Sequence, residues 1–133
     1  MMEFTNQLKM MTRIDAKKFT VAELVGQFTA IALEQDRAIF DDKTARYNRL
    51  YRQMTAILLE LKSRPGDQRR ALVPLLEHPN VQVRLKAGIA TLTLAPDEAR
   101  FTLQSIWDHK EFPQAAYAKG ILKSMDEGRY VPN

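Results

Sequence analysis

Residue types able to do chemistry are sparse in this sequence. The only histidines are His78 and His109, each placed directly after a carboxylate, Glu77 and Asp108. An imidazole titrates near neutral pH and ligates metals, so one reading pairs them as metal ligands or acid–base groups. Their placement argues otherwise. They occupy equivalent positions of a repeated segment, and stacked helix pairs offset equivalent loops by roughly 8–10 Å. Two imidazoles that far apart do not share a zinc ion. The reading adopted makes each a residue closing a helix, near the negative end of its dipole. Cysteine is absent, which excludes disulfides, thiolate nucleophiles and Cys-ligated zinc. Glu34, Asp36, Asp41 and Asp42 form an acidic cluster without the glycine and regular ligand spacing of a calcium loop. Capping and solvation are its expected roles. Gly66-Asp67-Gln68 is not a phosphate loop, since no Lys-Ser/Thr follows a glycine-rich stretch. Ser63, Ser105 and Ser124 belong to no nucleophile motif. The expectation is therefore no catalytic, cofactor or metal site, and no enzyme.

Basic residues are more informative. Between Lys43 and Arg70 lie Lys43, Arg46, Arg49, Arg52, Lys62, Arg64, Arg69 and Arg70, opposed only by Glu60 and Asp67. Eight against two is an excess of six, larger than the net charge of +4 of the whole chain. Arg46, Arg49 and Arg52 recur every three residues, so they keep to adjoining edges of a helix, with Tyr47 and Tyr51 beside them. One reading is an Arg/Tyr surface for an acidic protein or for phosphates; the other is a solvated helix face. Nucleic-acid-binding domains gather their charge on one face, and a net +4 is modest. A protein partner is accordingly expected before nucleic acid. The residues expected to touch it are Arg46, Arg49, Gln53, Arg84 and Lys86, with Tyr47 as an aromatic anchor.

Helices must position these residues. Thr20 with Glu23 forms a capping box opening the first long helix, where Val21, Leu24, Val25, Phe28, Ile31 and Ala32 recur with a 3.6-residue period to about Ile39. Asp41 and Asp42 are placed to cap a second, with Tyr47, Leu50, Tyr51, Met54, Ile57, Leu58 and Leu61 as its apolar series. Arg64-Pro65-Gly66 ends it. A third runs from about Asp67 to Leu76, kinked or shortened by Pro74. Asn80 caps a fourth, Val81 to Leu94. Its stripe Val81, Leu85, Gly88, Leu92 is matched by a second, Val83, Ala87, Ala90, Leu94, on roughly the opposite side, so this helix should be sandwiched. Pro96 and Pro113 suit the first turns of a fifth and a sixth, with Leu103, Ile106 and Trp107 directed inward from the fifth. Residues 1–19 read as a poorly structured or docking extension and 20–133 as one helical domain. Met10 and Met11 permit a later start that would make residues 1–9 dispensable. No secretory signal and no apolar run long enough to span a bilayer is present, so a cytoplasmic, membrane-free setting is expected.

The segment DQRRALVPLLEH from Asp67 returns as EARFTLQSIWDH from Glu98: Leu72 maps to Leu103, Leu75 to Ile106, Leu76 to Trp107 and His78 to His109. After one inserted residue, Gly88 maps to Gly120. Helix pairs recurring at such a period read as an α-solenoid whose units stack to bury their faces. The stretch HPNVQVRLKAGIATL resembles the second helix of a HEAT repeat, through its turn, Val83-Arg84, Ala87 and Leu92. The run Thr20 to Pro132 is similar to an uncharacterised bacterial family of short, stand-alone HEAT-like proteins. The resemblance lies in RPGDQRRALVPLLEHPNVQVRLKAG, APDEARFTLQSI and FPQAAYAKGIL. It implies an all-α, right-handed α-α superhelix of about three antiparallel pairs, with the second helices inside, and it implies no activity. Some small helical relatives suggest an immunity role, blocking a toxin. The expected function is a non-enzymatic protein-interaction module with a helical-repeat groove, as an immunity or adaptor protein. Nucleic-acid binding is the alternative, with no cofactor and an undetermined oligomeric state.

Overall fold

Thr20 opens the first long helix as its spacing predicts. Its Oγ1 accepts from the Glu23 N–H at 3.1 Å, and Glu23 Oε1 accepts from the Thr20 N–H at 2.9 Å, satisfying two otherwise orphaned donors. The structure, a computed structural model, describes residues 13–133. Its regular elements among the described residues are all helical: α1 (Arg13–Ala16), α2 (Val21–Phe40), α3 (Thr44–Ser63), a 3-10 segment (Gln68–Glu77), α4 (Val81–Thr91), α5 (Pro96–Asp108) and α6 (Gln114–Asp126). They gather into two compact units, Met1–Ala71 and Leu72–Asn133. No helix among the described residues is long and apolar enough to cross a membrane.

In the first unit, α2 and α3 pack together. Leu24, Phe28, Ile31 and Ala32 from α2 are buried, as are Leu50, Met54, Ile57 and Leu61 from α3. The connection differs from expectation. Asp41 closes α2, donating its N–H to the Arg37 carbonyl, and Asp42 takes a left-handed φ of 55°, a conformation that Asp tolerates better than most residues. Lys43 is left at the N-cap of α3 without a side-chain cap. Residues 1–12 of the expected extension lie outside the described residues, and with them the question of a start at Met10 or Met11. The rest is held in place: Ala16 is fully buried. Arg64 donates to the Phe19 carbonyl at 2.6 Å while its Nε meets Glu60 at 2.9 Å. Gly66 (φ 78°) and Asp67 (φ 52°) then turn the chain.

Pro74 does more than kink the third element. The whole of Gln68–Glu77 is 3-10 rather than α, with bonds such as His78 N–H to the Leu75 carbonyl at 3.1 Å. In an α-helix the Pro74 ring would strike the Arg70 carbonyl. The sequence repeat therefore pairs a 3-10 segment with a true α-helix, α5. Asn80 caps α4 as expected, its Oδ1 accepting from the Gln82 and Val83 N–H groups. That helix stops at Thr91, short of Leu94, and a turn leads to Ala95, whose non-helical backbone suits the residue before Pro96. Pro96 sits in the first turn of α5, whereas Pro113 is the N-cap of α6 rather than its first helical residue. The core of the second unit joins Leu85 and Leu92 of α4 and its C-terminal turn to Ala99, Leu103 and Ile106 of α5 and Ala115, Ala118 and Leu122 of α6. Val83, Ala87 and Ala90 are buried as well, so α4 is enclosed on both stripes. Trp107 is only half-buried against that core.

Candidate functional site

The α2–α3 turn and the outward face of α3 carry the exposed charge and aromatic surface of the first unit. A cleft of about 760 Å³ at the turn is lined by Glu34, Arg37, Asp41, Lys43, Arg46 and Arg49 among others. Arg46 donates to Glu34 across the helix pair, so its charge is largely spent inside the unit. Arg49 and Arg52 are exposed and make no ion pair among the described residues, and the same holds for Lys43 and Lys62. Along α3, Tyr51, Thr55, Leu59 and Lys62 follow four- and three-residue steps, and Arg52 lies three residues before Thr55, which places them on one outward face. Tyr51 is 50% exposed and Leu59 46%, while Phe40 at the turn is 90% exposed. Tyr47 is half-buried, and Gln53 is buried with its Oε1 lacking a hydrogen-bond partner among the described residues.

Of the other basic residues of the 43–70 segment, Arg70 is exposed with its Nε on the Gly66 carbonyl, whereas Arg64 and Arg69 serve the fold. Arg64 is bound to Glu60 and to a backbone carbonyl. Arg69 forms a two-pronged pair with Asp67, at 2.9 and 2.6 Å, whose hydrogen bonds hold the Asp67 carboxyl below its ordinary range.

Arg84 and Lys86, expected at a partner surface, are engaged within the second unit. Arg84 Nε donates to the His78 carbonyl at 2.8 Å, and its two terminal nitrogens meet both Glu111 oxygens at 2.9 and 2.8 Å. This fork-on-fork hydrogen bonding depresses the Glu111 carboxyl and raises the Arg84 guanidinium from their ordinary values. Lys86 is buried, its ammonium 5.5 Å from the centre of the Tyr117 ring. Lys86 is thus withdrawn from solvent, and Arg84, though partly exposed, has its guanidinium nitrogens engaged. Both residues of α4 therefore make structural contacts within the second unit.

The two histidines differ in role. His78 Nδ1 accepts from the Asn80 N–H at 3.0 Å, bracing the turn before α4. His109 Nδ1 lies 2.8 Å from the Ser105 carbonyl, one turn back on α5, the geometry of a ring N–H donor. Each is occupied by backbone close to it in sequence. Trp107 is covered by two ammonium groups, Lys110 at 3.8 Å and Lys119 at 4.4 Å from its ring centre, with Phe112 edge-on at 6.1 Å.

Residues 22–126, from the start of α2 to the end of α6, match the family model described as a domain of unknown function (DUF2019). The chain belongs to this DUF2019 family. Its structure is also similar to the crystal structure of the protein RPA1889 from Rhodopseudomonas palustris CGA009. The identity is 44% and the TM-score 0.85, over 86% of this chain and 95% of that one. The resemblance to an uncharacterised bacterial family is thereby given a definite form. None of the curated proteins compared matches. The DUF2019 segment contains both the α3 face and the α2–α3 turn. Sequence reasoning missed Phe40 and Leu59 as surface residues. Leu59 could have been found, since stepping 100° per residue sets it opposite the buried series Leu50, Met54, Ile57 and Leu61.

Proposed function

We propose that this chain is a HEAT-like helical-repeat protein that binds an acidic protein partner and catalyses no reaction of its own. An immunity or adaptor role suits that reading. The α-solenoid reading draws its support from the returning segments DQRRALVPLLEH and EARFTLQSIWDH. One observation carries the binding reading. The outward face of α3 combines Arg52 and Lys62 with half-exposed Tyr51 and Leu59, Arg49 flanks it in the turn cleft, none of the three cations ion-paired among the described residues, and Phe40 stands exposed at the adjoining turn. Arginine and aromatic side chains are the types that anchor protein interfaces. Relative to the sequence expectation, the contact set contracts to Arg49 with Tyr47 at its margin, and gains Phe40, Tyr51, Arg52 and Leu59.

The test is co-purification from cells of the source organism, with mass spectrometry of what is retained. Wild-type protein should retain a protein of acidic isoelectric point. The Arg49→Glu/Arg52→Glu variant should lose it while keeping its helical circular dichroism and melting temperature. Retention of the same protein by the folded variant would remove the α3 face from the proposal. Recovery of nucleic acid in its place would favour the alternative reading, to which the outward cations of this segment also lend themselves.

A further inference from the structure

The second unit carries a surface of opposite character. Between the later half of the 3-10 segment and the first turns of α5 runs a groove of about 730 Å³. Its apolar lining includes Val73, Pro74 and Phe101. Phe101 is 73% exposed on a helix that already buries Ala99, Leu103 and Ile106, so it does not contribute to the core. Pro74 has no N–H and adds apolar ring surface. Three carboxylates rim the groove, Glu77, Asp97 and Glu98, all exposed and none ion-paired among the described residues. Elsewhere Glu34, Glu60, Asp67 and Glu111 are each held by an arginine. Helix stabilisation accounts for part of the rim, because Asp97 and Glu98 lie in the first turn of α5 where the dipole favours them. It does not account for Glu77, which lies at the C-terminal end of its segment, where the dipole disfavours a carboxylate.

We infer that this groove docks a basic amphipathic peptide segment of a protein partner: a large apolar side chain set against Phe101, with flanking Lys or Arg meeting Glu77, Asp97 and Glu98. The volume lies in the range that takes small ligands, but the groove is open, and an open apolar floor inside a single-sign rim suits a peptide. The inference does not rest on the α3 reading, which calls for the opposite charge.

The test is selection of a random-peptide display library on the full chain, followed by fluorescence anisotropy with the enriched peptide. Enriched sequences should combine an aromatic or large aliphatic residue with two or more Lys or Arg. Phe101→Asp and Glu77→Lys, both at exposed positions, should each weaken binding about tenfold or more while leaving the melting temperature in place. Arg49→Glu/Arg52→Glu should leave it unchanged. Affinity should fall as salt rises. Enrichment of acidic or purely apolar peptides, no enrichment above background, or binding indifferent to Phe101→Asp would each overturn the inference.

Discussion

Arg84 shows how much a single side chain can tie together. It meets the His78 carbonyl and both oxygens of Glu111, which is 27 residues further along the chain. Replacing it with Ala leaves a carboxylate and a carbonyl without their donors, so Arg84→Ala should cost about 2 kcal/mol in urea unfolding at neutral pH. The pair also gives a pH dependence. Arg84 depresses the Glu111 carboxyl, so the bond stabilises the fold above the ordinary glutamate value of about 4.3. That contribution is lost as pH falls through the lower folded value. Glu111→Gln should therefore destabilise the protein at neutral pH and shrink the further loss between pH 7 and about pH 3. An unchanged acid sensitivity in Glu111→Gln would assign the acid response elsewhere, with Asp67 as the next carboxyl shifted in the same direction. The sequence marks Arg84 as a repeat residue by its place in HPNVQVRLKAG. It cannot reveal the partner, because an ion pair between distant positions leaves no periodic trace. Asp67 and Arg69, two residues apart, show the converse: the neighbours are visible, but their bonding depends on a left-handed φ at Asp67.

At the scale of elements, the helical periods were readable because burial sets them. Both stripes of α4, the capping box at Thr20 and the Asn80 cap are properties of a few neighbouring residues. The 3-10 form of Gln68–Glu77 was less readable, since it depends on how much strain a proline imposes on a particular backbone, and the early end of α4 leaves no mark in its apolar series. The repeat pairs Gly88 with Gly120, yet the structure gives them different reasons to be glycine. A Cβ on Gly88 would stand 3.1 Å from Leu103, where α4 and α5 approach closely. A Cβ on Gly120 would meet nothing within 4 Å. Gly120→Ala should thus stabilise the protein by about 1 kcal/mol, the propensity gain of a helix interior. Gly88→Val should destabilise it by about 1–3 kcal/mol through overpacking. Thermal melts of the two variants, shifting in opposite directions, check the claim; a shift of the same sign in both would show that the equivalence runs deeper than sequence.

Over the whole molecule the question is what a net charge of +4 does. The excess of six in the 43–70 segment overstates the charge available to a partner. Arg46 is held by Glu34, Arg64 by Glu60 and Arg69 by Asp67. Sequence exposed the excess but not this internal use, because charge counts carry no distances. What remains outward is Lys43, Arg49, Arg52, Lys62 and Arg70, the last with its Nε on the Gly66 carbonyl. Each phosphate neutralised by such a cation releases counterions, so duplex binding through this face would weaken steeply with salt. Arg49→Ala/Arg52→Ala would then lower the slope of log affinity against log salt by about two, and Arg46→Ala would add little. The expected result is different: a generic duplex should bind only in the non-specific range of about 10⁻⁴–10⁻⁶ M at physiological salt, without sequence preference. A filter-binding or anisotropy titration over a range of salt concentrations decides between the two. Sub-micromolar affinity at physiological ionic strength, with a slope that drops in the double variant, would turn the α3 face into a nucleic-acid surface. Weak binding, insensitive to the double variant, leaves that face to an acidic protein.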